Sequence, residues 1–332
     1  MNVPISPITG KPMRVVYEPG TETYRGEKYN FTYISFLDDA NGENYTTTES
    51  DGIWLSQVTN QYRERHGIPY TDEIIALRER YGLSAAKMST IFGFGVNQYR
   101  LYEDGEVPSE SNGKMIRGAM NPRVFLDLVK SSRNQLSERE FDKITANVEK
   151  VIADSSTWKG EKWVSDRLFR SDRGLRNGFA PQSTLRLKNL LLYVLGKMGE
   201  VFQTKMNKVL FYIDFLSYRE RGMAISGLAY NAIDFGPVPQ RWDRVYSAFD
   251  EIIPQPRLVH DQERFALTTN DVADMSCFTG QEIAVIDYVC CKMKDLSAHD
   301  ISELSHREPA WQNHLHQSET IPYAEAFSLV GV

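Results

Sequence analysis

Leu83-Ser84-Ala85-Ala86-Lys87-Met88-Ser89-Thr90-Ile91-Phe92-Gly93-Phe94-Gly95-Val96-Asn97-Gln98-Tyr99-Arg100-Leu101-Tyr102-Glu103 reads as two short helices around a glycine turn. Ser84 supplies an N-cap oxygen, and Met88, Ile91 and Phe92 recur at helical spacing. In Gly93-Phe94-Gly95 glycine reaches positive φ at no steric cost. A further helix runs from Val96 to Glu103 and is stopped by Asp104-Gly105. Upstream, Thr71 with Asp72 and Glu73 starts a helix carrying Ile74, Leu77 and Arg78, which Tyr81-Gly82 ends. Helix, short turn, helix is the arrangement of a major-groove reader. Asn97, Gln98 and Arg100 cluster at the start of the last helix, and these side chains match adenine and guanine edges. Ser84 and Lys87 are placed to hold a backbone phosphate. Glu103 is read as structural, closing the helix end against the preceding turn. The competing reading of the whole set is exposed polar positions on a small bundle.

Working outward, the spacing predicts short strands over residues 1–51, where Tyr29-Asn30-Phe31-Thr32-Tyr33 alternates until Ile34 breaks the pattern. Helical spacing holds over residues 52–152. Residues 153–182 lose periodicity and read as a basic linker: from 156 to 190 eight Lys/Arg (159, 162, 167, 170, 173, 176, 186, 188) face three acids. Residues 183–332 return to apolar helical runs, one face carrying Leu187, Leu191, Val194 and Met198, the next Val209, Leu210, Ile213 and Leu216. A hairpin is predicted over 257–267 with its turn at Asp261-Gln262. The expected architecture is mainly α with small β elements.

At 332 residues two or three domains are expected. A charged fraction of 25% with 41% hydrophobic residues fits a soluble globular chain. The longest apolar stretch, 190–195, falls short of the roughly 20 residues of a membrane span, and Met1-Asn2-Val3-Pro4 does not open a signal peptide. Cys277, Cys290 and Cys291 make no disulfide framework and fit a reducing cytoplasm. The net charge of −6 requires any nucleic-acid face to be local.

The run Tyr81-Gly82-Leu83-Ser84, Gly93-Phe94-Gly95 and Tyr99-Arg100-Leu101-Tyr102-Glu103-Asp104-Gly105-Glu106-Val107-Pro108-Ser109 resembles the DNA-binding half of MqsA-type antitoxins. That family carries an N-terminal zinc ribbon of two Cys-x-x-Cys-Gly knuckles. The corresponding segments here are Ser6-Pro7-Ile8-Thr9-Gly10 and Asp38-Asp39-Ala40-Asn41-Gly42, in which no cysteine remains. Hydroxyls, a carboxylate and an amide make a poor zinc site, so a metal-free β ribbon held by its aromatic strands is expected, with no cofactor.

A second resemblance covers residues 183–328. Met206-Asn207-Lys208-Val209-Leu210-Phe211-Tyr212-Ile213-Asp214, then Tyr230-Asn231-Ala232-Ile233-Asp234-Phe235-Gly236-Pro237-Val238, then Leu304-Ser305-His306 with Pro309-Ala310-Trp311 and 321–327 are similar to the Panacea (SocA-like) antitoxin domain. The resemblance implies binding and neutralisation of a toxin, or an adaptor role toward a protease. From the residues alone, Phe235-Gly236-Pro237-Val238-Pro239 forces a turn, because proline fixes φ and biases Gly236 away from helix. Lys208, Tyr212 and Asp214 sit close together on one helix. They form either a buried polar network under that loop or, with Asp234, Phe235 and Pro237, a toxin-facing surface. His306 and Trp311 read as a core cluster.

Enzyme chemistry has no foothold. His314 and His316, with His306 and Glu308, suggest a metal set only on paper, since i and i+2 on a helix point apart. Asp234-Phe235-Gly236 occurs without a phosphate loop or a His-Arg-Asp motif, and no nucleophile elbow, Walker sequence or dinucleotide fingerprint is present. Cys290-Cys291 sit in an apolar helical run and read as packed thiols. The expectation is a non-enzymatic cytoplasmic antitoxin with two partners, a cognate toxin and operator DNA, and no membrane. Two half-sites on DNA imply a homodimer. A stand-alone repressor and a proteolytic adaptor are the alternatives.

Overall fold

The computed structural model describes residues 3–154, 164–169, 172–259, 262–315 and 320–332. Lys159, Lys162, Arg170, the turn residue Asp261 and His316, all named above, lie outside them. The chain forms two compact units, residues 1–58 with 164–332, and residues 59–163. It is mainly helical with small antiparallel sheets. Among the described residues no helix is long and apolar enough to cross a membrane.

In the first unit, β1 (Arg14–Tyr24) and β2 (Glu27–Asp38) form one long hairpin where short strands were expected. Arg25 and Gly26 both take positive φ at its tip, the twist that a two-residue turn needs to match flanking strands. Gly20 interrupts β1 without ending it, because the Phe31 ring lies over the space a side chain would fill. Ile34, Ser35 and Phe36 are all buried, so alternation stops there because both faces are covered. β3 (Glu43–Tyr45) pairs with the far end of β2. Farther along that edge a side chain from α1 (Thr48–His66) pairs one residue: Gln57 donates to Thr32 O and accepts from Thr32 N, each at 3.0 Å. Thr32 thus points its backbone groups away from β1. Its register partner Pro19 must point outward too, leaving the free edge of β1 without a donor at its middle.

The two glycine knuckles meet at Asp38. Its carboxylate accepts from Thr9 Oγ1 at 2.6 Å and Ala40 N at 2.9 Å, and the Ser6 hydroxyl, followed by Thr9, holds its pKa below the usual carboxylate value. Asn41 turns the other way, accepting from Glu43 N. Hydrogen bonds to one carboxylate, as well as aromatic strands, join the ends of the ribbon.

The helical part of this unit contains α8 (Thr184–Met198), α9 (Gln203–Arg221), α11 (Gly280–Met293), α12 (Ala298–His306) and the short α10 (Trp242–Val245) and α13 (Pro309–Gln312). β7 (Ile253–Val259) and β8 (Gln262–Thr268) are the predicted hairpin, longer than the spacing indicated, and β4 (Val201–Phe202) joins β8. α9 is the centre, with every residue from Met206 to Tyr218 buried. Tyr17 of the ribbon packs on Phe327 at 5.6 Å. Within the stretch read as a linker, Leu168, Phe169, Phe179 and Ala180 are buried. Gly178 takes positive φ against Ala224 and Tyr323, where no side chain fits.

The second unit stacks α2 (Thr71–Arg80), α3 (Ala85–Phe92), α4 (Gln98–Glu103), α5 (Glu110–Ala119), α6 (Pro122–Ser131) and α7 (Glu138–Ala153). Ile74, Leu77, Met88, Ile91, Phe92, Tyr99 and Phe125 fill its core, and Tyr81 stacks on Phe125 at 4.2 Å. Gly93 caps α3 in the left-handed region. α4 begins at Gln98, two residues later than the spacing indicated.

Gln57→Leu leaves the Thr32 N–H and C=O without partners at a covered sheet edge. It should cost about 1–3 kcal/mol, read as a lower urea midpoint with unchanged slope.

Candidate functional site

Polar side chains on a helix buried on all sides need partners, and α9 finds them for Asp214, Asn207 and Lys208, while the Tyr212 hydroxyl is buried without one. Asp214 accepts from Ile225 N at 2.9 Å, Ser226 N at 2.8 Å, Tyr230 Oη at 2.6 Å, and the Ser226 hydroxyl. Burial raises its pKa, and these donors oppose the rise. Asn207 accepts from Tyr246 Oη. Tyr212 Oη faces Glu308, a buried carboxylate that accepts from Val330 N at 2.9 Å and Gly331 N at 2.8 Å. Burial first, then the Glu308 charge, raises the Tyr212 pKa.

Lys208 has the most consequential surroundings. It is 1% exposed, and its ammonium donates to Phe235 O and, at 3.1 Å, to Pro237 O. Desolvation alone pulls its pKa down to about 7. The two carbonyls belong to a hairpin formed by β5 (Tyr230–Ile233) and β6 (Gly236–Pro239), with Asp234 and Phe235 as its two-residue turn. Gly236 has φ +91°, and a Cβ there would lie 2.8 Å from Lys208 Cε, Lys208 Nζ and Ser305 Oγ. Trp311 Nε1 donates to Ile233 O at 2.8 Å and its ring stacks on His306 at 4.4 Å. Burial, then the Lys208 charge, lowers the His306 pKa.

The six residues singled out on this side therefore divide. Lys208, Tyr212, Asp214 and Pro237 are interior, Lys208 beneath the loop and Pro237 within it, whereas Asp234 and Phe235 are exposed at its tip. Phe235 is 75% exposed, on backbone fixed from beneath by Lys208 and Trp311. It borders a groove of about 810 Å³, with Phe202, Lys205, Leu296, Glu303 and His306 among its lining. Residue spacing missed the supporting role of Trp311 and Ser305; the only local signal was a glycine between two residues that hairpins do not require.

On the other unit, Ser84 caps α3 by accepting from Lys87 N at 3.2 Å. The Lys87 ammonium is taken by Glu140 at 2.8 Å, which holds the Glu140 pKa down to about 2. Asn97 is exposed at the start of α4, and Gln98 donates to Glu106 at 3.1 Å. Arg100 is exposed and only loosely paired, 3.9 Å from Asp104. Asn97 and Arg100 are thus accessible, and Ser84 and Lys87 are already used within the unit. Glu103 accepts from Arg78 Nε, tying α4 to α2.

The other chemistry-bearing groups serve packing. His314 Nε2 lies 3.2 Å from Glu325, and among the described residues no three His, Cys, Asp or Glu side chains converge as a metal set. Cys290 is buried and its thiol pushed up to about 12 by burial, while Cys291 is exposed, so only one of the adjacent thiols is packed.

Residues 206–312, about a third of the chain, match the family model described as "Antitoxin SocA-like, Panacea domain". No curated protein and no solved structure gives a significant match. The matched residues include α9 from Met206 onward, the β5–β6 hairpin and α12. The match supports a toxin–antitoxin role in general.

Gly236→Ala should destabilise the first unit by about 2 kcal/mol or more, from strained backbone and a clash in a closed site, read by thermal unfolding. The Lys208 pKa lies below its unfolded value of 10.5, so above pH 7 the unfolded chain binds the extra proton. The Lys208 contribution to stability should therefore rise between pH 7 and 10.5, opposed above about pH 9 by the buried Cys290 thiol, which ionises first in the unfolded chain. Lys208→Met should flatten that rise in urea titrations at successive pH values; an unchanged slope would assign it to other groups.

Proposed function

We propose that this chain is an antitoxin that neutralises a cognate toxin by direct binding through its C-terminal residues and regulates its own operon by binding operator DNA. The family match over residues 206–312 carries this reading. The hairpin inside that region supports it: an exposed aromatic on backbone already fixed in place loses little freedom on binding, which suits a hot-spot anchor. Asp234 and Phe235 are the contacts; Lys208 and Pro237 position them, Asp214 holds the segment leading into β5, and Tyr212 lies in the interior beside Glu308. Neutralisation by occlusion needs an interface of roughly 1,200–2,000 Å² and no chemistry from this chain.

The DNA-binding half of the proposal rests on α3, the turn through Asn97, and α4. Asn97 and Arg100 would read bases, with Gln98 released from Glu106, and the capped start of α3 at Ser84 would approach a phosphate. A homodimer would place two such units on two half-sites about one helical turn apart. The proposed setting is the cytoplasm.

Growth rescue tests the two halves separately in the full chain, co-expressed with the product of the adjoining gene. The full chain is used because residues 1–58 belong to the same compact unit as the C-terminal helices. Phe235→Ala should weaken toxin binding about 30-fold or more and lose protection. Asn97→Ala with Arg100→Ala should lose operator binding and still protect. Loss of all activity in the double variant, or a harmless neighbour, would replace the antitoxin with a stand-alone repressor.

A further inference from the structure

Residues 59–154 contain fourteen Lys/Arg and fourteen Asp/Glu, so a face for an anionic partner can arise only if charges are segregated. Several of these cations are occupied: Arg78 by Glu103, Lys87 by Glu140, Arg117 by Glu73, Arg80 by Met120 O, and Arg63 by Gly105 O. Arg139, Lys143 and Lys150 on α7 are exposed and have no such partner among the described residues.

These three fall on one stripe. At about 100° per residue, positions 139, 143 and 150 lie within about 40° of one another, and the rise of 1.5 Å per residue spreads them over roughly 16 Å. Ala146, also exposed, lies in the same sector and adds no obstruction. The acids of α7 lie off the stripe. Glu140 is neutralised by Lys87 and by its capping bonds to Ser137. Glu138, Asp142 and Glu149 share the opposite flank, about 60–100° away. A helix with four acids and three bases therefore presents an uninterrupted cationic line.

The Lys87–Glu140 pair also sets where that line lies. It joins the first turn of α3 to the first turn of α7, one residue from Arg139. Lys87 itself is not free to meet a phosphate, and the neighbouring stripe is. The geometry points to α7 as a phosphate-tracking surface beside the capped start of α3, with Arg139, Lys143 and Lys150 contacting the DNA backbone. This deepens the DNA-binding reading above and rests on it. Such contacts add affinity and fix orientation without sequence preference.

The test uses the full chain and a mixed-sequence duplex of about 30 base pairs, with affinity measured between about 50 and 300 mM salt. Each lost phosphate contact should lower the slope of log K against log salt by about 0.9. Arg139→Gln with Lys143→Gln and Lys150→Gln should reduce the slope by about 2–3 and weaken binding about tenfold or more at low salt. Its melting temperature should not change, since all three side chains are exposed. Asn97→Ala with Arg100→Ala should keep most of the slope and lose preference for a selected operator. An unchanged slope in the triple variant overturns the α7 surface while leaving DNA reading in place. Absence of binding by the unsubstituted chain to any duplex overturns both.

Discussion

Burial of α9 from Met206 to Tyr218 is the constraint on which the first unit depends. On a helix covered all round each unpaired polar side chain costs about 1–3 kcal/mol and an unpaired charge more. Most of its polar groups are therefore paired, and the Tyr212 hydroxyl is the exception among Asn207, Lys208, Tyr212 and Asp214. Asp214 gathers the 225–230 segment, Lys208 gathers the β5–β6 turn, and Asn207 takes the Tyr246 hydroxyl. The loops of this unit are folded onto the helix by its polar side chains, while its apolar ones fill the core between neighbouring elements.

That arrangement links stability to presentation. The Lys208 ammonium, without an acid beside it, is offset only by carbonyl dipoles of the hairpin, so the same two contacts neutralise a burial penalty and fix the backbone of Phe235. Gly236 has to be glycine because Lys208 and Ser305 occupy the place of its side chain. The tip residues carry little of the core's packing and are free to serve a partner. The second unit uses the same economy differently, committing most of its charged side chains to internal pairs.

Much of the helical pattern is legible from local signals. The Ser84 cap, the Gly93 turn and the apolar spacing of α3 are short-range steric and hydrogen-bonding requirements, and they appear where the spacing placed them. The start of α4 shifts to Gln98 because Val96 and Asn97 remain in the turn that lets Tyr99 reach Ser89 Oγ and Ile74 O. α9 displays the limit of periodicity: Val209, Leu210, Ile213 and Leu216 mark one face, yet between Met206 and Tyr218 no face of this helix meets water. A one-sided stripe and a full enclosure are the same to a count of apolar positions when the polar residues between them find buried partners.

The sequence by itself determined the mainly helical class, the glycine turns, the hairpins near their observed places and the residues from which the candidate sites are drawn. Each depends on contacts within a few residues, where propensity, capping and the special φ of glycine act directly. Only the tertiary structure decided which of those residues point outward. It set Asp234 and Phe235 apart from Lys208, Tyr212, Asp214 and Pro237, committed Lys87 to Glu140, and paired Gln57 with the Thr32 backbone on the ribbon edge. Gln57 and Thr32 are 25 positions apart and Lys87 and Glu140 are 53 apart, and a side chain's burial and charge state are properties of what surrounds it in space.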